Sequence, residues 1–553
     1  MGSSGSAAEG ARAAPMRWWG WGDPARATPL PAHALRYLSS GLGLPLRASP
    51  PVALASVKLP QPTLDAVTLE RLRGIVGEQG LRSDRAERIA HAAGKGYPDL
   101  VRLRAGEPEG APDAVALPGS HEQLRALLEL CAQRSIAVVP FGGGTSVVGG
   151  VAPLRGPHGA VLALDMRRMA RLRDLDEASL TVTAEGGMRV AVLERELAAR
   201  GLTLGHFPQS FEYVSLGGCA ATRSAGQASS GYGSIEKLVL GLRLAAPAGD
   251  IALPAMPATA AGPGMRQLLV GSEGCLGVID ELALRVRRAP RERVYEGLFF
   301  ADFASGVQAL RAMAQQHAVP DVARLSDEHE TRSSLALSAT HGLKDRLGRA
   351  YLGARGYGHG CLAILGFEGA GEELSQRRAR ALALARAAGG LGVGRSPGRA
   401  WLRSRFAGPY LRDELLTHGV MVETLETATQ WSKLLRLHGE VGGAIARALR
   451  ACATPGLVMC HVSHLYETGA SLYFTFLAPQ REQDPLGQWR AVKEAASRAI
   501  VEGGGTITHH HSIGRDHLRW VEREVGGLSL SALRAVKREL DPHAIMNPGK
   551  LLG

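Results

Sequence analysis

The sequence predicts an α+β protein of more than one lobe, and three observations predict it. Helix and strand patterns alternate from about residue 111, the pattern resets near residue 290, and 553 residues exceed what one hydrophobic core usually serves. In the first lobe Ser120 and Gln123 form a capping box ahead of a stripe of Leu124, Leu127, Leu128 and Cys131, which reads as a helix. "AVVP" then reads as a strand that breaks into "FGGGTSVVGG". Further strands read at 160–166 and 179–187, with a helix near 188–200. In the second lobe "VYEGLFFADF", a helix near 305–316 and "VARLSD" make one strand–helix–strand unit. "LAILGF" and a helix near 371–388 repeat it, which predicts an antiparallel sheet with helices on one face. Helical patterns also fall around 68–95. At the end Leu530, Leu533, Val536 and Leu540 share a helical face that stops at Asp541-Pro542.

The expected organisation is a disordered leader (1–15), a helical Trp-rich segment (16–110), a first domain (111–290), a cap (291–500) and a C-terminal segment (501–553) returning to the first domain. Trp18, Trp19 and Trp21 read as anchors onto a neighbouring lobe rather than ligand contacts. Hydrophobic content of 45% and charged content of 21% are ordinary for a globular chain. Six scattered cysteines without a Cys-x-x-Cys pair argue for a reducing compartment and against a zinc ribbon or disulfide framework. No apolar run is long enough to cross a bilayer, so a cytoplasmic chain is expected, or one lying peripherally on the inner face of a membrane. The net charge of +12 suits anionic partners, but 5% aromatics and short basic runs argue against nucleic acid.

Chemistry begins at the glycines. "PFGGGTSVVGG" can bring bare backbone N–H groups and the hydroxyls of Thr145 and Ser146 against phosphate oxygens. It lacks the Gly-Lys-Ser/Thr ending of a Walker loop and the spacing of a dinucleotide fingerprint. Three more small-residue stretches follow, at 208–218, 221–239 and 268–284, and four such loops in one lobe suit a long, doubly phosphorylated cofactor.

Two further segments carry polar candidates. In "ASLYFTF" strand alternation puts Ser471, Tyr473 and Thr475 on one face and Leu472, Phe474 and Phe476 on the other. In "THHHSIG", an extended chain would point His509 and His511 one way and His510 the other. Adjacent imidazolium charges repel, so at least one ring should stay neutral near pH 7, which suits proton transfer. No acidic or cysteine residue lies nearby in sequence to complete a metal site, so no metal is expected.

"PFGGGTSVVGG", "TAEGGM", "TRSAG…YGSIEKLV" and "VGSEGCLGVI" resemble, in order and spacing, the PCMH-type FAD-binding domain of vanillyl-alcohol-oxidase-type flavoproteins. That resemblance implies a two-subdomain FAD-binding domain with a cap and FAD bound non-covalently. The implied contacts are Pro140, Phe141, Gly142, Gly143, Gly144, Thr145 and Ser146; Gln209, Ser210, Phe211, Glu212, Tyr213, Val214 and Ser215; Thr222, Arg223, Ser224 and Ala225; and Gly271, Ser272, Glu273, Gly274, Cys275, Leu276 and Gly277.

The branch that oxidises 2-hydroxy acids carries a metal motif whose carboxylate and amide ligands are absent from "CHVSHLYETGASLYFTF" and "THHHSIG". An FAD-dependent dehydrogenase or oxidase of a small 2-hydroxy acid, of the D-lactate or glycolate type, is therefore the second reading. "MRWWGWG", "GHFPQSFEYVS", "VARLSDE", "YLRDELL", "VETLETATQW", "GASLYFTF" and "THHHSIG" instead resemble the alkylglycerone-phosphate synthase family of ether-lipid synthesis. The resemblance implies exchange of the acyl group of acyl-dihydroxyacetone phosphate for a long-chain fatty alcohol, without net redox, through a flavin–substrate adduct. It further implies a homodimer, catalytic Tyr473, His509, His510, His511 and Arg324, and substrate contacts at Arg412 and His206. Gln209, Phe207 and Ser512 depart from the family pattern.

Overall fold

The computed structural model describes residues 15–43, 46–338 and 342–553; all but Pro15 of the expected leader lies outside the described residues. The first subdomain is a four-stranded sheet of β1 (Leu81–Arg82), β2 (Ala114–Ala116), β3 (Ile136–Phe141) and β4 (Ala160–Asp165), ordered β1-β2-β4-β3. Both β2 and β3 run parallel to β4. Helix His121–Arg134 connects β2 to β3, Ser120 Oγ accepts the Gln123 N–H, and Leu124, Leu127, Leu128 and Cys131 are fully buried.

The second subdomain holds β5 (Leu172–Asp176), β6 (Thr181–Glu185), β7 (Leu202–Thr203), β8 (Val239–Ala246), β9 (Gly249–Leu253), β10 (Val278–Arg285) and β11 (Arg287–Arg288). Five of these form an antiparallel sheet ordered β5-β6-β10-β8-β9, while β7 and β11 pair as a ribbon. Helix Gly527–Leu540 returns to this sheet, burying Leu530 and half-burying Leu533, Val536 and Leu540 against its core.

The cap is one seven-stranded sheet of β12 (Glu292–Phe300), β13 (Val322–Ser326), β14 (Cys361–Gly369), β15 (Leu391–Gly394), β16 (Val420–Gln430), β17 (Leu457–Leu465) and β18 (Gly469–Pro479). Its order is β15-β12-β14-β13-β17-β18-β16, and every pairing is antiparallel. Helices Phe303–Gln315, Gly371–Ala387, Trp431–Ala451 and Pro485–Glu502 pack on one face through a single core. The expected antiparallel sheet with helices on one face is present, and the strands from β16 to β18 extend it beyond the two units legible in the sequence. β16 hid because Glu423 and Glu426 sit inside it, both buried.

Alternation in β18 positions the chemistry. Leu472, Phe474 and Phe476 are fully buried under the helices, leaving Tyr473 and Thr475 to face the opposite lobe. Register places Tyr473 beside Glu426 of β16 and His461 of β17. Among the described residues, no helix is long and apolar enough to cross a membrane.

Candidate active site

A cavity of about 570 Å³ lies where the first two subdomains meet the polar face of the cap sheet. Its floor is the end of β3 and the loop after it: Pro140, Phe141, Gly142, Gly143, Gly144, Thr145 and Ser146 all line it. The glycines are required by close approach. A Cβ on Gly142 would overlap Ser215 Oγ, and one on Gly143 would overlap the Tyr213 carbonyl. Gln209, Ser210, Val214 and Ser215 line the cavity with Thr222, Ser224, Ala225, Glu273, Gly274 and Gly277. A trough of bare backbone of this kind fits a dinucleotide such as FAD.

Other expected contact residues stand behind that trough. Phe211 stacks on Phe406 with ring centroids 5.1 Å apart. Glu212 accepts from the Tyr410 hydroxyl at 3.0 Å, and Tyr213 packs edge-on against Trp21. Arg223 donates to the carbonyls of Val270 and Gln267, which lie before Gly271. Ser272, Cys275 and Leu276 are buried within the fold. None of these eight residues lines the cavity, Gly271 included: they shape the loops that do. Trp21, expected to be only an anchor, is both anchored and part of the lining, because its backbone N–H donates to Asp413 Oδ2 at 2.5 Å.

The histidine segment is not extended. Its backbone bends at residues 509–511, so the predicted alternation is wrong and the rings gather on one side. The bend forms around a buried carboxylate: Glu426 Oε1 accepts the His511 N–H at 2.7 Å and the Thr508 hydroxyl at 2.6 Å, while Oε2 accepts the His509 N–H. Downstream, Glu273 accepts the N–H groups of Ile513 and Gly514 at 2.8 and 2.7 Å. One glutamate from the cap and one from a flavin-side loop thus fix both ends of the segment. Tyr473 packs against it, 6.0 Å from the His510 ring and 5.6 Å from the His511 ring, centroid to centroid.

Sequence reasoning missed three residues beside this cluster. His461 stacks on Tyr473 at 4.9 Å. Tyr466 shares a 2.5 Å hydrogen bond with His509 Nε2. His464 brings a ring nitrogen within 4.8 Å of those of His509 and His510, supplying the third metal-ligand candidate not found in the sequence. Its nitrogens are already engaged, Nε2 with the Gly226 carbonyl at 3.1 Å and Nδ1 with Ser471 Oγ at 3.2 Å, which suits a neutral ring more than a ligand.

The arginines are less free than their type suggests. Arg324 donates to Glu330 Oε1 at 2.8 Å and lies 3.1 Å from His461 Nε2, so it braces the ring under Tyr473. Arg412 donates to the Lys95 carbonyl at 2.7 Å and to Asp413 Oδ1, filling its fork. Arg405 lines the same cavity with its guanidinium 4.8 Å from the Phe207 ring and 4.7 Å from the Phe406 ring. It makes no side-chain hydrogen bond or ion pair among the described residues. His206, expected at the substrate, is fully buried behind Ser224, 2.8 Å from its hydroxyl, and does not line the cavity.

Burial dominates the electrostatics. It pushes the Tyr473 phenol up to about 12 and takes His509 and His510 well below the usual imidazole range, with His511 lowered too. Burial opposes ionisation of Glu426, yet His511, His509 and Thr508 hold its carboxyl below the usual range. Glu330 likewise overcomes burial through Arg324 and His461, and falls to about 2. The site therefore presents a protonated phenol and neutral imidazoles at neutral pH.

Comparison with known proteins agrees with that arrangement. Residues 112–252 match an FAD binding domain family and residues 289–551 the family of C-terminal domains of FAD linked oxidases. The chain is 30% identical to the alkyldihydroxyacetonephosphate synthase of Dictyostelium discoideum, over 97% of this chain and 93% of that protein. It is 32% identical to the Trypanosoma brucei brucei enzyme of the same name, over 97% and 92% of the two chains. A solved alkyldihydroxyacetonephosphate synthase superposes with a TM-score of 0.84 at 29% identity, covering 97% of this chain and 99% of that one. The chain belongs to the alkyldihydroxyacetonephosphate synthase family of FAD-binding enzymes.

Proposed function

We propose that the chain exchanges the acyl group of acyl-dihydroxyacetone phosphate for a long-chain fatty alcohol, leaving an alkyl ether and releasing the fatty acid without net redox change. The observation that carries this reading is the cluster of Tyr473 with neutral His510 and His511 facing a glycine-lined dinucleotide trough. FAD bound in that trough supplies an electron-accepting ring to the headgroup carbon, and the chain's own groups do the rest.

Tyr473 keeps its proton at neutral pH, and the neutral His510 and His511 rings packed against it are the groups placed to exchange protons with it and with the substrates. These three groups take a proton from the alcohol hydroxyl and return one to the departing carboxylate. His509, bonded to Tyr466 and to His510 Nδ1 at 2.9 Å, orients the cluster. Arg324 acts through His461, holding the ring on which Tyr473 stacks. The open cation for the substrate phosphate is Arg405, with Arg412 available once the phosphate displaces Asp413. Leu337, Leu411, Leu415, Val422, Met459 and Leu477 line the same cavity and give an aliphatic chain an apolar wall. Because both substrates are lipids, the reading includes peripheral contact with a membrane surface.

The test supplies the FAD-loaded protein with acyl-dihydroxyacetone phosphate and radiolabelled hexadecanol. Label should enter the ether product with one fatty acid released per ether. The competing reading, oxidation of a small 2-hydroxy acid, predicts instead that D-lactate or glycolate bleaches the flavin and reduces a dye.

A further inference from the structure

Behind the histidine segment lies a second cavity of about 270 Å³, between helix Pro485–Glu502, the N-terminal end of helix Tyr97–Ala105 and the segment after Gly514. Five cations border it: Arg102, Arg490, Lys493, Arg515 and Arg519. Three are already paired. Arg102 and Arg515 each lie 2.9 Å from Glu109, and Arg519 lies 2.9 Å from Glu494.

The other two are not. Lys493 is only 5% exposed, yet among the described residues its ammonium has no hydrogen bond and no ion pair. Ser497, one turn further along the same helix and 1% exposed, leaves its hydroxyl without a partner. Arg490, exposed at the rim, is also unpaired. The Lys493 ammonium reaches the cavity beside a buried hydroxyl that has no partner, and a ligand that accepts hydrogen bonds would satisfy both. Asp99 and Asp516 face the same space, and burial raises their carboxyls to about 6 and about 7, which weakens the negative charge they set against an anion. Trp489 and Trp520 close the walls and limit the occupant to a compact molecule.

The geometry points to a second anion site, separate from the glycine trough, in which Lys493, Ser497 and Arg490 bind inorganic phosphate or a small phosphate monoester. The ammonium and the hydroxyl would contact the buried oxygens and Arg490 would cover the open side, with its fork matched to a phosphate edge. Ser497 and Lys493 stand at i and i+4 on one helical face, so the two donors converge without rearrangement.

Calorimetry on the FAD-loaded protein tests this with inorganic phosphate in one arm and glycerol 1-phosphate in the other. Wild type should show saturable phosphate binding that Lys493→Met abolishes and Arg490→Ala weakens at least tenfold. If only the monoester saturates, the occupant is a phosphorylated metabolite; if both do, the free ion suffices. Arg490 is exposed, so its variant reports even if Lys493→Met fails to retain FAD. Absence of saturable binding by wild type, or identical isotherms for wild type and Arg490→Ala, would overturn the assignment. Phosphate held only at the substrate site beside Arg405 would give that second outcome.

Discussion

Glu426 Oε1 lies 2.7 Å from the backbone nitrogen of His511, and this one contact joins a cap strand to the catalytic bend. The other carboxylate oxygen takes the His509 N–H, so one buried group satisfies two donors that no regular element could pair. Glu426→Gln keeps the size but turns a donor toward one of those N–H groups. Turnover should fall about tenfold to a hundredfold, the scale of one unsatisfied buried hydrogen bond, with FAD retained. Ether formation and flavin absorbance measured on the same sample check this; unchanged turnover would show that the bend holds without Glu426.

Tyr473→Phe preserves the stack on His461 and removes only the hydroxyl. The expected loss is about 10²-fold to 10⁴-fold in turnover, the usual range for a lost acid/base group. FAD absorbance and melting temperature should stay as in wild type. Ether formation at the wild-type rate would remove the phenol from the mechanism.

Gly143→Ala tests the trough. The added methyl meets the Tyr213 carbonyl, a backbone atom that cannot turn away, so the loop must shift. Purified variant should carry little or no FAD, read from its visible spectrum per chain. A fully yellow Gly143→Ala protein would place the cofactor elsewhere.

The buried histidines also set a pH dependence of stability. Burial pushes His206 and His517 down to about 3 and His464 to about 4. Their folded pKa values lie below the unfolded value of about 6.5, so the folded state binds fewer protons. Stability is then whole above about pH 6.5 and is lost as pH falls toward the folded values, by about 2 kcal/mol per histidine at about pH 5. Melting of the loaded protein should drop steeply between about pH 7 and pH 5, less so in His517→Gln. A melting temperature independent of pH over that interval would contradict the burial argument.

Much of the flavin side was legible because its demand is local. Gly142 and Gly143 sit where only backbone fits, and that requirement appears as consecutive glycines. The strand face bearing Tyr473 was legible for the same reason, since alternation is a property of a few adjacent residues. The bend of His509 to His511 was not, because a carboxylate some eighty residues earlier sets it. His461 and His464 reach the site only through the pairing of β17 with β18, and the register of that pairing is a tertiary fact. Arginine type alone could not sort the cations: Arg412 and Arg324 line the cavity engaged by Asp413 and Glu330, while Arg405, inconspicuous in an arginine-rich chain, lines it unpaired among the described residues.

The proposed reaction uses a flavin yet moves no electrons to an acceptor. The most direct measurement compares ether formation by the loaded protein under strict anaerobiosis with formation in air plus an electron-accepting dye. Equal rates, with the flavin still oxidised after many turnovers and the dye unreduced, are predicted. Ether formation that stops without an acceptor, or flavin that stays bleached by acyl-dihydroxyacetone phosphate, would contradict it.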